Sequence, residues 1–506
     1  MKKIALIMIL LTILSKLLGF VREIILAKYY GITDISDVYF ISTTIPAFLF
    51  AIVGTGILVS FLPLLTEVFI KKSFTEGIAF TNKVLNYLFI IISILVVILF
   101  IFTPHIVKLF AIGFNKETLN LAVNFTRITI FSLYFLGFTF VFQGFLQVRK
   151  KFFIISILGI PLNICIILSI IISFYTNNLL VLPLGILSGY FFQMLIMFPS
   201  LKKQKFKFQI NLSFDENIEK MIKLSLPVLI GVSANELNSL IDRSLASTIS
   251  IGGISALNYA GTVNSFIFTV FALTIANFYY SQFSIQAIEE DLKKFKNTLL
   301  ESISLVMYFV IPISLFILLF SKEIISLLFG RGEFTFENVI MTAEILSFYV
   351  IGVFALCMRE ILSRVFFSLN DTITPMVNTA ISMLVSILLN FILSHYLGLK
   401  GLALSTSLAS IVAFILMFRS LRKIKIRIKP YELISLLYKT IIVSIITFLP
   451  LKILYKTYFK YNEITFILIS SIGLFIYIFL SILFKNREVD FIVRFLKGKF
   501  SKGGKI

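Results

Sequence analysis

The sequence has no tryptophan and only two cysteines and two histidines among its 506 residues. Cys165 and Cys357 both lie in apolar stretches, so the sequence predicts no disulfide framework and no thiolate metal site. His105 and His395 lie far apart near predicted helix ends, whereas a metal centre needs ligands that converge. We therefore expect no resident metal and no bound cofactor.

Charged residues are also scarce. They make up 14% of the chain, whereas a soluble domain has about a quarter, and 58% of the residues are hydrophobic. The formal net charge is +21, but the basic residues cluster in short connections between apolar runs, so we expect no nucleic-acid partner. The sequence has no HExxH, no GxSxG and no glycine-rich phosphate loop followed by lysine, so we expect that the protein is not an enzyme.

Apolar runs long enough to cross a bilayer recur along the whole chain. A transmembrane helix needs about 20 mostly apolar residues, and the breaks between runs fall at charge clusters or at Gly, Asn and Pro turns. The sequence predicts an all-α polytopic membrane protein with 14 transmembrane helices, at roughly 4–30, 35–70, 78–106, 118–148, 152–175, 179–201, 217–249, 253–287, 295–320, 336–369, 373–396, 400–421, 432–456 and 462–484.

The connections alternate in charge. Basic clusters occur at 71–72, 149–151, 202–207, 293–296 and 422–429, while the turns "TNN" at 176–178 and "TISIGG" at 248–253 carry no charge. Because cytoplasmic loops carry the excess of Lys and Arg, both termini are predicted to be cytoplasmic. The basic tail at 486–506 agrees with this orientation, and we expect it to contact anionic membrane lipids.

The two halves of the chain repeat each other. "FSLYFLG" at 131–137 recurs as "LSFYVIG" at 346–352, and "MFPSLKK" at 197–203 recurs as "MFRSLRK" at 417–423, with offsets of 215 and 220 residues. Each copy holds six spans, and an even number preserves orientation. We therefore predict an N-lobe at 1–207 and a C-lobe at 208–429, related by a parallel pseudo-twofold axis around a central cavity. The last two spans, at 430–485, lie outside the repeat.

The first span keeps charges that a membrane helix would ordinarily avoid. "SKLLGFVREIILAKYYG" at 15–31 places Ser15, Gly19 and Arg22 on one helix face, with Lys16 and Glu23 beside it. A charge at mid-bilayer costs roughly 2.5 to 3.5 kcal/mol on insertion scales. One interpretation is a cavity face that attracts an anionic, phosphorylated cargo. The other is an internal ion pair that holds helices together.

The seventh span is the other polar one. "SANELNSLIDRS" at 233–244 supplies Asn238 and Asp242, whose oxygens could bind a monovalent cation or form a polar seam between helices. Asp242 and Arg243 are adjacent and point about 100° apart, so they are not simply each other's partner. In the tenth span, Arg359 and Arg364 lie towards the cytoplasmic end, where snorkelling to the headgroups is the less costly interpretation.

Several blocks resemble the MurJ/MviN lipid II flippases of the MOP superfamily. They are "SKLLGFVRE", "AKYYG" and "SDVYF" at 15–40, "GGISALNYA" at 252–260, and the stretch from "REILSRVFF" at 359 to "GLKGLALSTSLAS" ending at 410. The resemblance implies fourteen spans, a cationic central cavity, and a groove at 430–485 for a polyprenyl tail. It also implies a bacterial cytoplasmic membrane location, a polyprenyl-diphosphate-linked saccharide as cargo, and the cell-wall synthesis machinery as a partner.

The resemblance also implies site residues. The predicted substrate-binding residues are Lys16, Arg22, Glu23, Asp37, Ser15, Gly19 and Arg243, and the predicted cation-coupling residues are Asp242, Asn238 and Asn378. Sodium or the membrane potential would drive the cycle. The chain departs from the family where Phe50 and Ala51 stand near a usual cavity arginine, where Thr55 stands for a glutamate, and where Thr262 stands for a second arginine.

The leading prediction is a flippase that moves lipid II from the inner to the outer leaflet by alternating access. The missing arginines motivate an alternative, a flippase for another polyprenyl-linked oligosaccharide such as an O-antigen, capsule or teichoic acid unit. A third interpretation is a multidrug antiporter of the same superfamily, although a positive face on the first span suits lipophilic cations poorly.

Overall fold

The computed structural model describes residues 2–424, 430–458 and 462–484. Within these ranges the regular secondary structure is helical and includes no strand. The predicted basic tail at 486–506 lies outside the described residues.

Four of the first ten helices begin at a polar side chain that accepts a backbone hydrogen bond. The ten helices are α1 (Lys2–Tyr30), α2 (Asp34–Lys71), α3 (Phe74–Phe110), α4 (Lys116–Thr129), α5 (Ser132–Val148), α6 (Phe152–Ser156), α7 (Gly159–Thr176), α8 (Val181–Leu195), α9 (Phe198–Lys203) and α10 (Glu216–Ile249). Thr33, Ser73, Asn115 and Asp215 cap α2, α3, α4 and α10 by accepting from a backbone N–H of the first turn.

The remaining helices are longer on average. They are α11 (Gly253–Ile267), α12 (Thr274–Ile288), α13 (Leu292–Phe329), α14 (Phe336–Ser368), α15 (Ile373–Leu397), α16 (Leu399–Ser420), α17 (Pro430–Tyr458) and α18 (Glu463–Leu483). A π-helical segment, Phe268–Leu273, joins α11 to α12, and a 3₁₀ turn, Leu421–Ile424, follows α16. The span at 253–288 is therefore one rod with a π-helical insertion in it.

Twelve helical stretches of the described chain are long and apolar enough to cross a membrane. The two predicted spans outside this set are those on α1 and α10, both of which include side chains outside the described part of the chain. The all-α polytopic fold is thus confirmed, and the count of fourteen spans stays a prediction.

The chain forms two compact units. The first comprises Met1–Ser255 with Arg331–Thr335, and the second comprises Ala256–Gly330 with the described part of Phe336–Ile506. Helix α10 belongs to the first unit because it packs along α2, where the hydroxyls of Ser60 and Ser225 lie 2.7 Å apart. The predicted lobe boundaries at 207 and 429 follow the sequence repeat, which places α10 in the second lobe, and they stay a prediction.

The turns between helices repeat along the chain. Gly31 and Gly252, Lys150 and Asn370, and Asn177 and Gly398 all have positive φ, between 52° and 75°, and the members of each pair are separated by 220 or 221 residues. Few non-glycine residues adopt this conformation. The backbone therefore repeats a positive φ at the spacing of the sequence repeat, although ψ differs within the third pair, at 28° for Asn177 and −137° for Gly398.

Candidate functional site

The polar stripe of α1 lies against α7. The Asn163 side chain of α7 donates to the Gly159 carbonyl at 2.8 Å and to the Ser15 carbonyl of α1 at 3.4 Å. A Cβ on Gly159 would lie 2.0 Å from the Ser15 hydroxyl oxygen, and one on Gly19 would lie 3.7 Å from the Asn163 amide oxygen. Small residues on both helices therefore let the two backbones approach closely.

Arg22 is held by two acceptors on this seam. Its Nη2 lies 2.6 Å from Glu23 Oε1, and its Nη1 donates to Asn163 Oδ1 at 3.3 Å. The Glu23 side chain is 7% exposed and that of Arg22 is 26% exposed, so the pair is largely withdrawn from the surface. The Arg22 Nε is buried and has no acceptor among the residues that the structure describes. The internal ion pair, one of the two interpretations of this span, is thus present in the structure.

Lys16 differs from Arg22. It is exposed, and its ammonium group has no acceptor among the described residues. Lys28, also exposed, lies over the Tyr29 ring at 5.2 Å. Helix α1 therefore keeps unneutralised positive charge beyond the pair with Glu23, as a site for an anionic cargo requires.

Asp37 has a structural partner. Its carboxylate accepts from the backbone N–H of Ser255 at 2.7 Å, and the residue is 1% exposed. Ser255 lies in the first turn of α11, where a carboxylate is favoured by the unpaired N–H groups and the helix dipole. In this conformation the Asp37 side chain caps α11 and is closed off from solvent.

The predicted cation-coupling residues are only partly together. Asn238 Nδ2 lies 3.4 Å from Asp242 Oδ2, one helical turn apart on α10. Arg243 lies close enough to Glu236 for the two charges to interact. Asn378 lies on α15 in the second unit, where its amide donates to Ser420 Oγ at 3.1 Å.

Two arginines of α14 have different surroundings. Arg364 lies 2.9 Å from Glu360 and over the Tyr280 ring at 5.6 Å. Arg359 is half-buried, and its guanidinium donates to no acceptor among the residues that the structure describes. Its charge interacts with that of the neighbouring Glu360, whose ion pair is with Arg364, so the Arg359 guanidinium keeps free donors for an anion.

The last two helices pack on α13 of the same unit. Phe320, Tyr455, Phe466 and Ile469 form a buried cluster, and Lys452 of α17 reaches Glu323 of α13 at 2.5 Å. The outward faces stay apolar. The most exposed residues of α18 include Phe475 at 73% and Phe479 at 62%. This surface is suited to contact with hydrocarbon chains.

The sequence reasoning did not identify Asn163 or the Lys452–Glu323 pair. Asn163 is 141 residues from Arg22, and Glu323 is 129 residues from Lys452. Single polar residues in apolar runs were the available signal, because such residues usually find a partner on a neighbouring helix. Which residue is the partner depends on packing.

Sequence comparison identifies relatives along nearly the whole chain. The profile of the family described as "Lipid II flippase MurJ" matches residues 26–474. A "Probable lipid II flippase MurJ" from Aquifex aeolicus (strain VF5) is 28% identical, with 97% of this chain and 95% of that protein covered. One of the same description from Thermotoga maritima is 27% identical, with 96% of each covered.

Structural comparison agrees. A solved structure titled "Lipid II flippase MurJ, inward closed conformation" superposes with a TM-score of 0.83 at 28% identity and covers 95% of this chain and 99% of that one. An inward-facing MATE family transporter of the MOP superfamily has a TM-score of 0.67 at 18% identity, with 83% and 97% covered, and indicates a shared fold. With a family match over nearly its whole length, the chain belongs to the lipid II flippase MurJ family.

Proposed function

We propose that this chain is a lipid II flippase that moves the undecaprenyl-diphosphate-linked peptidoglycan precursor from the inner to the outer leaflet. The family match over residues 26–474 carries this proposal. The protein is an integral membrane protein with many spans, and we place it in the bacterial cytoplasmic membrane with both termini cytoplasmic. It is a transporter, and no catalytic step is part of the proposal.

The diphosphate would meet the positive charge of α1. Lys16 is exposed and without an acceptor among the described residues, so it can reach an incoming phosphate at little cost. Arg22 already has Glu23 and Asn163 as acceptors, which hold its guanidinium in one orientation. We infer that Lys16 attracts the cargo and that the oriented Arg22 adds a directional hydrogen bond.

The polyprenyl tail would stay in lipid along α17 and α18. The buried aromatic cluster with Phe320 and the Lys452–Glu323 pair hold these helices to α13, while their outward faces are apolar. A tail on this surface needs no polar partner, so the headgroup alone has to enter the protein. This division of the cargo suits a lipid whose two ends differ in polarity.

Coupling to a cation would use α10. Asn238 and Asp242 share one face and lie within 3.4 Å of each other, and sodium prefers carboxylate and amide oxygens. We propose that sodium binding at this pair, or the membrane potential acting on the same charges, resets the transporter. Asn378 would contribute only by exchanging its bond with Ser420.

Complementation tests the function. A strain depleted of its own lipid II flippase should grow when it expresses this chain, and lipid II should become accessible to an externally added reagent. Lys72→Gln, which alters an exposed lysine between α2 and α3, is the control and should grow like the wild type. A well-inserted wild-type protein that fails to support growth would refute lipid II as cargo and favour another polyprenyl-linked saccharide.

A further inference from the structure

The connection between α9 and α10 has an unusual pattern. The segment "KFKFQINLSF" at 205–214 alternates polar and apolar residues without exception, which is the period of an extended chain with one apolar face. It is non-helical throughout. Phe206, at its start, packs against Phe142 and Phe145 with ring centroids 5.8 and 5.3 Å apart. The segment is thus anchored at one end to the aromatic core of the first unit.

Side chains of α3 fix the rest of the segment. Asn82 donates to the Lys207 carbonyl at 2.9 Å, Asn86 donates to the Gln209 carbonyl at 2.9 Å, and Tyr87 donates to the Leu212 carbonyl at 2.7 Å. These donors pair backbone groups that have no partner in a helix or sheet. The segment therefore has a defined orientation along α3.

Its apolar face is nevertheless uncovered. Ile210 is 82% exposed, Phe214 62% and Phe208 60%, and Leu212 is about half exposed. All four side chains are large and apolar, so contact with water is unfavourable for each of them. A rigid extended segment with such a face indicates a surface that something apolar covers.

The flanking charges indicate what covers it. Lys202, Lys203, Lys205 and Lys207 are all exposed, and none of their ammonium groups has an acceptor among the described residues. Basic side chains beside an apolar face are typical of surfaces that lie in the headgroup region of an anionic membrane.

The position of the segment along α3 agrees with a place near the headgroup region. The clamping residues lie 8 to 13 positions after the start of α3 at Phe74, or about 12 to 20 Å along the helix axis. A 37-residue helix is about 55 Å long and exceeds the hydrocarbon core by about 25 Å, or about 13 Å at each end if centred. The clamp thus extends from the boundary between headgroups and acyl chains to about 7 Å inside the hydrocarbon core.

We propose that residues 205–214 form an interfacial membrane anchor that binds anionic phospholipid. Phe208, Ile210, Leu212 and Phe214 insert among the upper acyl carbons, and the four lysines contact the phosphates. The clamp on α3 orders this segment before it meets lipid, so membrane contact does not have to fold it. This anchor is separate from cargo transport and does not depend on the identity of the cargo.

The absence of tryptophan makes the test direct, since one introduced tryptophan is the only one in the chain. Ile210→Trp in phosphatidylcholine–phosphatidylglycerol proteoliposomes should emit at short wavelength and should lose about half its emission or more with brominated lipids. Ser213→Trp, on the polar face of the same segment, is the matched control and should be quenched mainly by acrylamide in water. Phe475→Trp on the outward face of α18 reports full lipid contact.

The charge requirement is tested in the same background. Quenching of Trp at position 210 should rise with the phosphatidylglycerol fraction and fall with added salt. Replacing the four lysines by glutamine should abolish both dependences, with helix content by circular dichroism unchanged.

Three results would overturn the proposal in whole or in part. Position 210 could be as open to acrylamide as position 213, which would show that the apolar face is in water. It could also be protected from both acrylamide and bromolipid, which would show that a second copy or another protein segment covers the face. Lipid quenching that does not depend on lipid charge would remove the anionic part of the proposal.

Discussion

At the scale of single residues, the pair of Arg22 and Glu23 separates a structural role from a transport role. Arg22→Ala leaves a nearly buried carboxylate without this partner and should lower stability by about 3 kcal/mol. Arg22→Ala with Glu23→Ala removes both charges and should recover most of that stability, because the buried carboxylate is no longer present. Transport should be lost in both variants if Arg22 binds the diphosphate.

Thermal unfolding in detergent and complementation, measured on the same set of variants, decide between the roles. Restoration of growth by the double variant would show that Arg22 only balances Glu23. Arg22→Lys keeps the charge and loses the bidentate geometry, so its growth should lie between wild type and Arg22→Ala.

Arg359 is expected to show the opposite stability effect. No acceptor among the described residues pairs with its guanidinium, so Arg359→Gln should change stability by less than about 0.5 kcal/mol or raise it. If this cation contacts the phosphates, transport should fall roughly tenfold or more, since a hydrogen bond to a charged group contributes about 1.5 to 3 kcal/mol. Initial flipping rates in proteoliposomes measure the effect.

Arg364→Gln is the matched control for Arg359→Gln. It leaves Glu360 without the partner that lies 2.9 Å away, so it should lower the unfolding temperature. The flipping rate should change much less than in Arg359→Gln. Equal rates for wild type and Arg359→Gln would assign Arg359 to the headgroup region instead of the transport path.

At the scale of helices, the approach of α1 to α7 depends on Gly159. A Cβ there would lie 2.0 Å from the Ser15 hydroxyl, so Gly159→Ala should destabilise the first unit by about 1 to 3 kcal/mol. Ser15→Ala removes the clashing oxygen and leaves the nearest atom, the Ser15 Cβ, at 3.4 Å. The double variant should therefore regain most of the lost stability in thermal unfolding. Equal stability of Gly159→Ala with and without Ser15→Ala would contradict this packing.

The ion pair between Lys83 of α3 and Asp215 at the start of α10 should be sensitive to acid. Burial opposes ionisation of Asp215, but Lys83, 2.8 Å away, and the backbone N–H of Ile218 outweigh it and hold its pKa below the usual value. A lowered pKa in the folded state means that the contact stabilises fully above about pH 4 and is lost as the pH falls through the folded value. The contribution is modest, since about a third of the Asp215 side chain is exposed.

Hydrogen–deuterium exchange of the Ile218 amide, whose N–H donates to Asp215 Oδ1 at 3.0 Å, measures this contact. Protection should be constant from pH 7 to about pH 5, after correction for intrinsic rates, and should fall below about pH 4. In Lys83→Met the loss should begin at higher pH, because the cation that favours the Asp215 carboxylate is gone. An unchanged midpoint in this variant would assign the low pKa to the helix N-terminus alone.

At the scale of the whole molecule, the fold was predictable because the bilayer limits the solutions. Apolar runs of about 20 residues have to become helices, and basic connections mark one side of the membrane. The turns at Gly31 and Gly252 show that the sequence repeat also predicts backbone geometry. The compact units were less predictable, since a repeat pairs equivalent residues and does not state which helices pack together. Helix α10 illustrates this, because the repeat places it in the second lobe whereas it packs along α2 in the first unit.

The candidate site was predictable in type more than in contact. A positive stripe on α1 could be identified from helix periodicity, but the same pattern allowed a cavity face or an ion pair. The structure contains the Arg22–Glu23 pair, as the second interpretation predicts, and an exposed Lys16 with no acceptor among the described residues, for which the cavity interpretation stays a prediction. Asn163 could not be assigned from local sequence, because its contact with Arg22 depends on how closely two glycine-bearing helices approach.

Whether α1 and α10 cross the membrane decides the topology of the whole chain. If both cross, the N-terminus, Lys72 and the 205–214 segment lie on one side, and Ile251, which is 70% exposed, lies on the other. If α10 lies along the surface instead, position 213 and position 251 share a side. If α1 does not cross, the N-terminus lies opposite Lys72.

The low cysteine content makes this measurable. After Cys165→Ser and Cys357→Ala, single cysteines before Lys2 and at positions 72, 213 and 251 can be labelled in intact cells with a membrane-impermeant maleimide. We expect labelling from outside only at position 251, because the basic clusters at 71–72 and 202–207 keep the other sites cytoplasmic. No labelling at 251, as at 213, would place α10 on the surface, and labelling before Lys2 but not at 72 would do the same for α1. The charged residues of a helix on the surface would not lie within the bilayer, so they would no longer be candidates for transport.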